Sequence, residues 1–132
     1  MNTKTISIIG GFGQMGALFR KLWHEQGYIV HAIGRKNWDN CNTELAQSDA
    51  VIVCVPIKDT AEIITKLAPR LNPTTVLADF TSLKAEPLLT MLAEYAGPVI
   101  GLHPMFGPTI NTPQNQIIAH CQGRNPQACQ WL

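Results

Sequence analysis

A short apolar segment, residues 6–9, runs directly into the pattern Gly-x-Gly-x-x-Gly, formed by Gly11, Gly13 and Gly16. A strand that ends in this pattern and passes into a helix is typical of a dinucleotide-binding turn. Gly11 is expected to take the backbone angles of the turn, Gly13 to let a diphosphate approach, and Gly16 to let the helix pack closely. The N–H groups that open the helix favour the same diphosphate. The alternative is a plain glycine-rich turn without a ligand.

Apolar periodicity continues the alternation of strands and helices to the end of the chain. Strands are predicted, after the first, over residues 28–33, 50–55, 75–78, 99–102 and 116–121. Helices are predicted over residues 14–26 and 57–68, and a further helix has Pro87 in its first turn and runs to residue 96. At most a short helix is predicted at 43–47, and a helical turn begins at Pro126. This order predicts an α/β fold of the Rossmann type, a doubly wound, mainly parallel six-stranded sheet in one domain covering residues 1–132.

Composition excludes several classes of protein. Charged residues make up 14% of the chain, below the usual share of about 25%, and the formal net charge is +1 without a Lys/Arg run. Neither nucleic acid nor an anionic membrane surface is therefore an expected partner. No apolar stretch is long enough to span a bilayer and no signal-peptide pattern opens the chain, so we expect a cytoplasmic protein.

The cysteines indicate neither a disulfide framework nor a metal site. Cys41, Cys54, Cys121 and Cys129 are scattered without a Cys-x-x-Cys pair, which is typical of a reducing compartment. Cys54 falls in an apolar strand segment and is interpreted as a small core residue. A metal cluster could be imagined from His120, Cys121 and Cys129, but a fourth ligand at suitable spacing is missing, so no metal is predicted.

The residues after the second predicted strand bear on the choice of nicotinamide cofactor. NAD sites usually place Asp or Glu there to bind the ribose 2′-hydroxyl, whereas this chain has Gly34 followed by Arg35 and Lys36. A glycine leaves room for a 2′-phosphate, and a guanidinium can bind it with two parallel hydrogen bonds. We therefore predict NADP, with NAD as the alternative, since Arg35 and Lys36 could be solvated turn residues and Asp39 lies nearby.

Four sequence blocks together resemble prephenate dehydrogenases, above all the dehydrogenase part of the bifunctional chorismate mutase/prephenate dehydrogenase type. The blocks are Gly-Gly-Phe-Gly-Gln-Met-Gly at 10–16, Val-Pro-Ile at 55–57, Asp-Phe-Thr-Ser-Leu-Lys at 79–84 and Gly-Leu-His-Pro-Met-Phe-Gly-Pro at 101–108. The likeness covers essentially the whole chain. Its His-Pro-Met-Phe-Gly-Pro block is much more specific than the glycine pattern.

The resemblance implies oxidative decarboxylation of prephenate to 4-hydroxyphenylpyruvate, a step of tyrosine biosynthesis. It implies that His103 accepts the proton of the substrate hydroxyl and that Ser82 orients His103 and contacts the same hydroxyl. An imidazole is well suited to this proton transfer near neutral pH. The plainer alternatives are a histidine at a strand end for His103 and a helix N-cap for Ser82.

Pattern and resemblance together predict the residues that contact the cofactor. They are Gly11, Phe12, Gly13, Gln14, Met15, Gly16, Gly34, Arg35, Lys36, Val55, Pro56 and Thr60. Lys84 is a weaker candidate for meeting an anionic group.

The chain departs from the family pattern in two ways. Relatives of the enteric type carry a glutamate at the position of Gly34, which supports NADP. Family members also continue into a helical domain that forms a homodimer, closes the active-site cleft and supplies an arginine for the substrate carboxylate. The given sequence ends at residue 132. Arg124 is by default the candidate to replace that arginine. Activity of the chain alone is therefore open. The alternatives are a dinucleotide-binding module without catalysis and a reductase acting on another small substrate.

Overall fold

In the computed structural model, which describes residues 3–81, 85–110 and 114–132, strands and helices alternate as the sequence pattern predicts. The strands are β1 (Thr5–Ile9), β2 (Ile29–Ile33), β3 (Ala50–Val53), β4 (Val76–Asp79), β5 (Val99–Pro104) and β6 (Ile118–Arg124). The α-helices are α1 (Gln14–Glu25), α2 (Asn42–Gln47), α3 (Ile57–Leu67), α4 (Ala85–Glu94) and α5 (Pro126–Cys129). Short 3₁₀ turns lie at Trp38–Asn40 and Ala68–Arg70.

The strands form one sheet in the order β2-β1-β3-β4-β5-β6. β1 to β5 are parallel, and β6 is antiparallel to β5. The predicted Rossmann-type, mainly parallel six-stranded sheet is confirmed. The chain leaves β1 first to one side, for β2, and then to the other, for β3. Such a switch in strand order opens a crevice at the carboxyl ends of β1 and β3, where ligands of open α/β sheets bind.

Side chains of successive strand residues enter two buried layers, one on each face of the sheet. The layer beneath α1 and α5 includes Ile6, Ile8, Ile52, Phe19 and Trp23. The layer beneath α2, α3 and α4 includes Ile9, Val51, Val53, Leu45, Ile64 and Met91. Burial on both faces explains why the central strands are continuously apolar rather than alternating.

The largest differences from the predicted boundaries lie near the end of the chain. β6 covers Ile118–Arg124 rather than 116–121, and the last helix ends at Cys129. Most β6 side chains are exposed, because this strand forms the edge of the sheet, and so no apolar alternation marks its limits. Asn125, with a φ of +54°, begins α5, and its side chain accepts a hydrogen bond from the Ala128 N–H.

In the part of the chain that the structure describes, no helix has both the length and the apolar character needed to cross a membrane.

Candidate functional site

The loop after β1 is built from glycines whose surroundings leave no room for a side chain. Gly10 has a φ of +86°, and a Cβ there would lie 2.0 Å from the Cys54 carbonyl oxygen. A Cβ on Gly16 would lie 2.4 Å from the Gly10 carbonyl oxygen, which agrees with the predicted close packing of α1. A Cβ on Gly11 would lie 2.8 Å from the Cβ of Ala32. The left-handed angle thus belongs to Gly10, whereas Gly11 lies in the same turn and permits the close approach of β2.

The first turn of α1 carries hydrogen-bond donors without partners. Gly13 is its N-cap, no side chain caps the helix, and no acidic residue lies in the first turn. Ala17 donates to the Gly13 carbonyl at 2.8 Å. The N–H groups of Gln14 and Met15 precede that bond and have no acceptor among the described residues. Such a helix start favours an anionic group.

A cleft of about 440 Å³, here called the His103 cleft, opens beside this helix start. Its walls come from the ends of β1, β3, β4 and β5 and the segments that follow them: Gly13, Gln14, Met15, Gly16, Cys54, Val55, Pro56, Ile57, Phe80, Thr81, His103, Pro104, Phe106, Gly107 and Pro108. A Cβ on Gly13 would meet just one described atom within 4 Å, the Gly10 carbonyl oxygen at 3.4 Å. The backbone at Gly13 is therefore open to a ligand.

A second cleft of about 480 Å³, the Arg35 cleft, lies on the other side of the loop. It is lined by Ile9, Gly10, Gly13, Gly34, Arg35, Trp38, Cys54, Val55, Pro56, Asp59, Glu62, Ile63 and Lys66. The two clefts share Gly13, Cys54, Val55 and Pro56. A ligand with two halves joined by a diphosphate fits this arrangement, since its middle would pass over the unpaired N–H groups of α1.

His103 is the next-to-last residue of β5, where it lies opposite Ala119 of β6. It is half-buried and lines the His103 cleft. None of the residues that the structure describes forms a hydrogen bond with its imidazole, so the ring is available to a ligand. Ser82, the other predicted catalytic residue, lies outside the described residues, as does Lys84.

Four predicted cofactor contacts line neither cleft: Gly11, Phe12, Lys36 and Thr60. Thr60 is 1% exposed, and its hydroxyl donates to the Pro56 carbonyl oxygen at 3.1 Å. This bond stabilises the first turn of α3, and the contact of Thr60 with the cofactor stays a prediction. Lys36 is exposed but lines neither cleft, whereas the neighbouring Arg35 lines the Arg35 cleft.

Two aromatic side chains of the His103 cleft were missed by the sequence analysis. Phe80 and Phe106 line the cleft and pack on Phe19 of α1, with ring centroids 4.6 and 5.8 Å apart. Thr81, beside them, donates from its N–H and its hydroxyl to the buried Asp79 carboxylate. These residues directly follow β4 and β5 within the two most distinctive sequence blocks, and that position was the available signal.

Cys54 has two kinds of neighbour. It follows β3 rather than lying within it, is half-buried, packs against the core layer beneath α1 and α5, and also lines both clefts. Burial raises the pKa of its thiol to about 11. The side chain is thus a neutral thiol at physiological pH and an apolar part of the wall, not a nucleophile.

Arg124 cannot take the role of a substrate-binding arginine in this arrangement. Its guanidinium donates to the carbonyl oxygens of Leu92 at 2.9 Å, Gly97 at 3.2 Å and Tyr95. These bonds tie the end of α4 to β6. In the β5–β6 pairing, Arg124 lies at the opposite end from His103.

The Phe12 ring lies beside the turn after β2, and the Arg20 guanidinium packs on that ring. Gly34 follows β2 as predicted, and its N–H donates to Asn37 Oδ1 at 2.7 Å. A Cβ on Gly34 would lie 2.8 Å from Phe12 Cδ2. The Arg20 guanidinium carbon lies 5.5 Å from the centroid of the Phe12 ring, and Arg20 Nη1 donates to the Gly11 carbonyl at 3.4 Å.

No group of three His, Cys, Asp or Glu side chains that could hold a metal ion occurs within residues 3–81, 85–110 and 114–132. Cys121 is exposed on β6, whereas Cys129, the last residue of α5, is buried.

Comparisons with known proteins identify the domain. Residues 23–119 match the family model described as prephenate dehydrogenase, nucleotide-binding domain. The chain is 43% identical over 127 residues to the T-protein of Haemophilus influenzae and 42% identical over 129 residues to that of Enterobacter agglomerans. These matches cover 96% and 98% of this chain but 34% of each relative, so the chain spans about a third of their length.

Solved structures agree on the fold. The prephenate dehydrogenase of Aquifex aeolicus, crystallised with hydroxyphenyl propionate and NAD⁺, is similar with a TM-score of 0.80 and 15% identity, over 99% of this chain and 55% of that one. Arogenate dehydrogenase of Synechocystis is similar with a TM-score of 0.78 and 19% identity, over 96% of this chain and 54% of that one. At these identities the likeness establishes the fold.

Proposed function

Because this chain belongs to the prephenate dehydrogenase family, we propose that it binds NADP(H) and provides the cofactor-binding domain for the oxidative decarboxylation of prephenate to 4-hydroxyphenylpyruvate. The observation that carries the proposal is the pair of clefts that meet at Gly13. The adenosine half of the cofactor would occupy the Arg35 cleft and the nicotinamide half the His103 cleft. The N–H groups of Gln14 and Met15 would bind the diphosphate between them.

His103 is the proposed proton acceptor. NADP⁺, when bound, supplies the hydride acceptor for the reaction. As the hydroxyl-bearing ring carbon of the substrate loses hydride, the imidazole takes the hydroxyl proton. The ring carboxylate then leaves as CO₂, its bonding electrons make the ring aromatic, and the resulting phenolate oxygen takes up a proton. Phe80 and Phe106 would keep water from the reacting carbon. The assignment of Ser82 as the residue that orients His103 stays a prediction.

Gly34 and Arg35 support a preference for NADP. The position directly after β2 holds no carboxylate that would repel a 2′-phosphate, and Arg35 lines the cleft proposed for the adenosine half. Replacement Arg35→Glu should weaken NADPH binding about tenfold or more and affect NADH far less. Equal losses for both cofactors, measured by calorimetric titration, would speak against this assignment.

The function is tested by adding prephenate and NADP⁺ to the protein and following NADPH formation. We expect His103→Asn to remove turnover and to leave the dissociation constant for NADPH unchanged, because the imidazole acts on the substrate. Loss of NADPH affinity in this variant would contradict the proposed role. Binding of NADPH by the wild type without prephenate turnover would limit the function of this chain to cofactor binding.

A further inference from the structure

On the basis of the proposed NADP preference, we infer that Arg20, held by the Phe12 ring, is a second cation of the 2′-phosphate subsite and determines cofactor specificity together with Arg35. Neither Arg20 nor its contact with Phe12 is indicated by the glycine pattern, which ends four residues before Arg20. Three observations support this role: the space beside Gly34, the position of the guanidinium, and the charge of the loop.

The Phe12 ring occupies the space that a side chain at position 34 would need. A Cβ on Gly34 would lie 2.8 Å from Phe12 Cδ2 and 3.4 Å from Cε2. An aspartate or glutamate at position 34 therefore requires the ring to move. Since Phe12 is 65% exposed, the ring is not held there by core packing. In this chain the ring, and not a carboxylate that would select the ribose 2′-hydroxyl of NAD, occupies the space beside Gly34.

The Arg20 guanidinium lies against the same Phe12 ring. Its carbon is 5.5 Å from the Phe12 ring centroid, a cation–π distance, and one nitrogen donates to the Gly11 carbonyl over 3.4 Å. That long bond leaves further guanidinium N–H groups without a partner among the described residues. Arg20 is thus a cation held at the cofactor loop, with donors available for a phosphate.

Charge around the turn favours a dianion there. Arg35 and Lys36 are exposed on the turn, and Arg20 adds a third positive charge next to Gly34 through Phe12. The acidic residues of the Arg35 cleft belong to α3, and one of them, Glu62, already pairs with Lys66 at 2.9 Å. Arg20 lines a neighbouring cleft together with Lys21 and His24, whereas Arg35 lines the Arg35 cleft. In the inferred subsite, the 2′-phosphate would lie between the two and meet cations from both α1 and the β2 turn.

The experiment compares calorimetric titrations of NADPH and NADH, and of 2′,5′-ADP and 5′-ADP, for wild type, Arg20→Gln, Phe12→Ala and the control Lys21→Gln. Lys21 is the neighbouring exposed cation on α1, so its replacement causes the same change in net charge. We expect Arg20→Gln to weaken NADPH and 2′,5′-ADP about fivefold to tenfold, with less than about a twofold change for NADH and 5′-ADP. Phe12→Ala should weaken the same pair of ligands, because the guanidinium loses its support.

The outcomes separate this inference from the proposed function. If the wild type prefers NADPH but Arg20→Gln and Lys21→Gln have equal effects, the assignment of Arg20 is overturned and the NADP preference stands. If the wild type binds NADPH and NADH equally, both are overturned. Circular dichroism of each variant shows that a change in affinity is not a loss of folding.

Discussion

The Cys54 side chain lies where β3 ends and forms part of the wall of both clefts. Burial raises the pKa of this thiol to about 11 from an ordinary value of 9.0. A thiolate here would repel the phosphates of a bound dinucleotide, whereas the neutral thiol does not. Because the folded-state pKa is the higher one, the shift stabilises the folded protein below pH 9, and this contribution is lost as the pH rises from 9 through 11.

The same shift predicts the reactivity of Cys54 with iodoacetamide. Since the thiolate is the reactive form, the rate should be slow at pH 7 and should rise about tenfold per pH unit up to pH 10 without levelling off. Quantitative mass spectrometry of the Cys54 peptide measures this rate, and the exposed Cys121 serves as an internal reference. A plateau near pH 8.5 would show that burial does not raise this pKa. NADPH should slow the reaction if the cofactor covers the clefts.

At the scale of the element, the loop after β1 and the start of α1 act as one unit in which the glycines have separate roles. Gly16 is required by packing, because its Cβ would lie 2.4 Å from one backbone atom and 2.7 Å from another. Gly13 has an extended backbone, with a φ of −77°, and open space in front of it. Folding therefore depends on Gly16, and ligand approach depends on Gly13.

Alanine substitutions separate these two roles. Gly16→Ala should lower the free energy of unfolding by about 1–3 kcal/mol, since α1 must move away from the loop. Gly13→Ala should cost less than about 1 kcal/mol but should weaken NADPH binding, because its methyl group projects where the diphosphate approaches. Urea denaturation and calorimetric titration measure the two effects. A Gly13→Ala protein with wild-type affinity would contradict the proposed path of the cofactor.

The sequence was sufficient for the elements and for part of the lining of the clefts, because apolar periodicity and strand-end residues are local signals. The fold order, Gly34 after β2 and His103 at the end of β5 follow from such signals. Thr60 could not be placed from them, since only the structure shows its hydroxyl on the Pro56 carbonyl. The role of Arg124 depends on bonds to α4 residues that are distant in sequence.

At the scale of the whole molecule, the sheet brings together segments that lie far apart in the sequence. β1 is central, and the chain crosses to β2 on one side and to β3 on the other. Gly34 and His103 therefore end on opposite sides of the glycine loop, in different clefts that share Gly13. In the proposed binding mode, recognition of the adenosine half is thus separated from the chemistry, and a ligand spanning both clefts would connect them.

This separation predicts that ligand fragments perturb one cleft each. In ¹H–¹⁵N correlation spectra, 2′,5′-ADP should shift the amides of Gly34 and Ile63, which line the Arg35 cleft, and leave those of His103 and Gly107 unchanged. Nicotinamide mononucleotide should do the reverse, and NADPH should shift all four, because it alone spans the loop. Gly27, which lies at the far end of α1, is the control and should not respond. If NADPH shifted the amides of just one cleft, the two clefts would not form a single dinucleotide site, and the imidazole of His103 would lie too far from the nicotinamide to serve the proposed reaction.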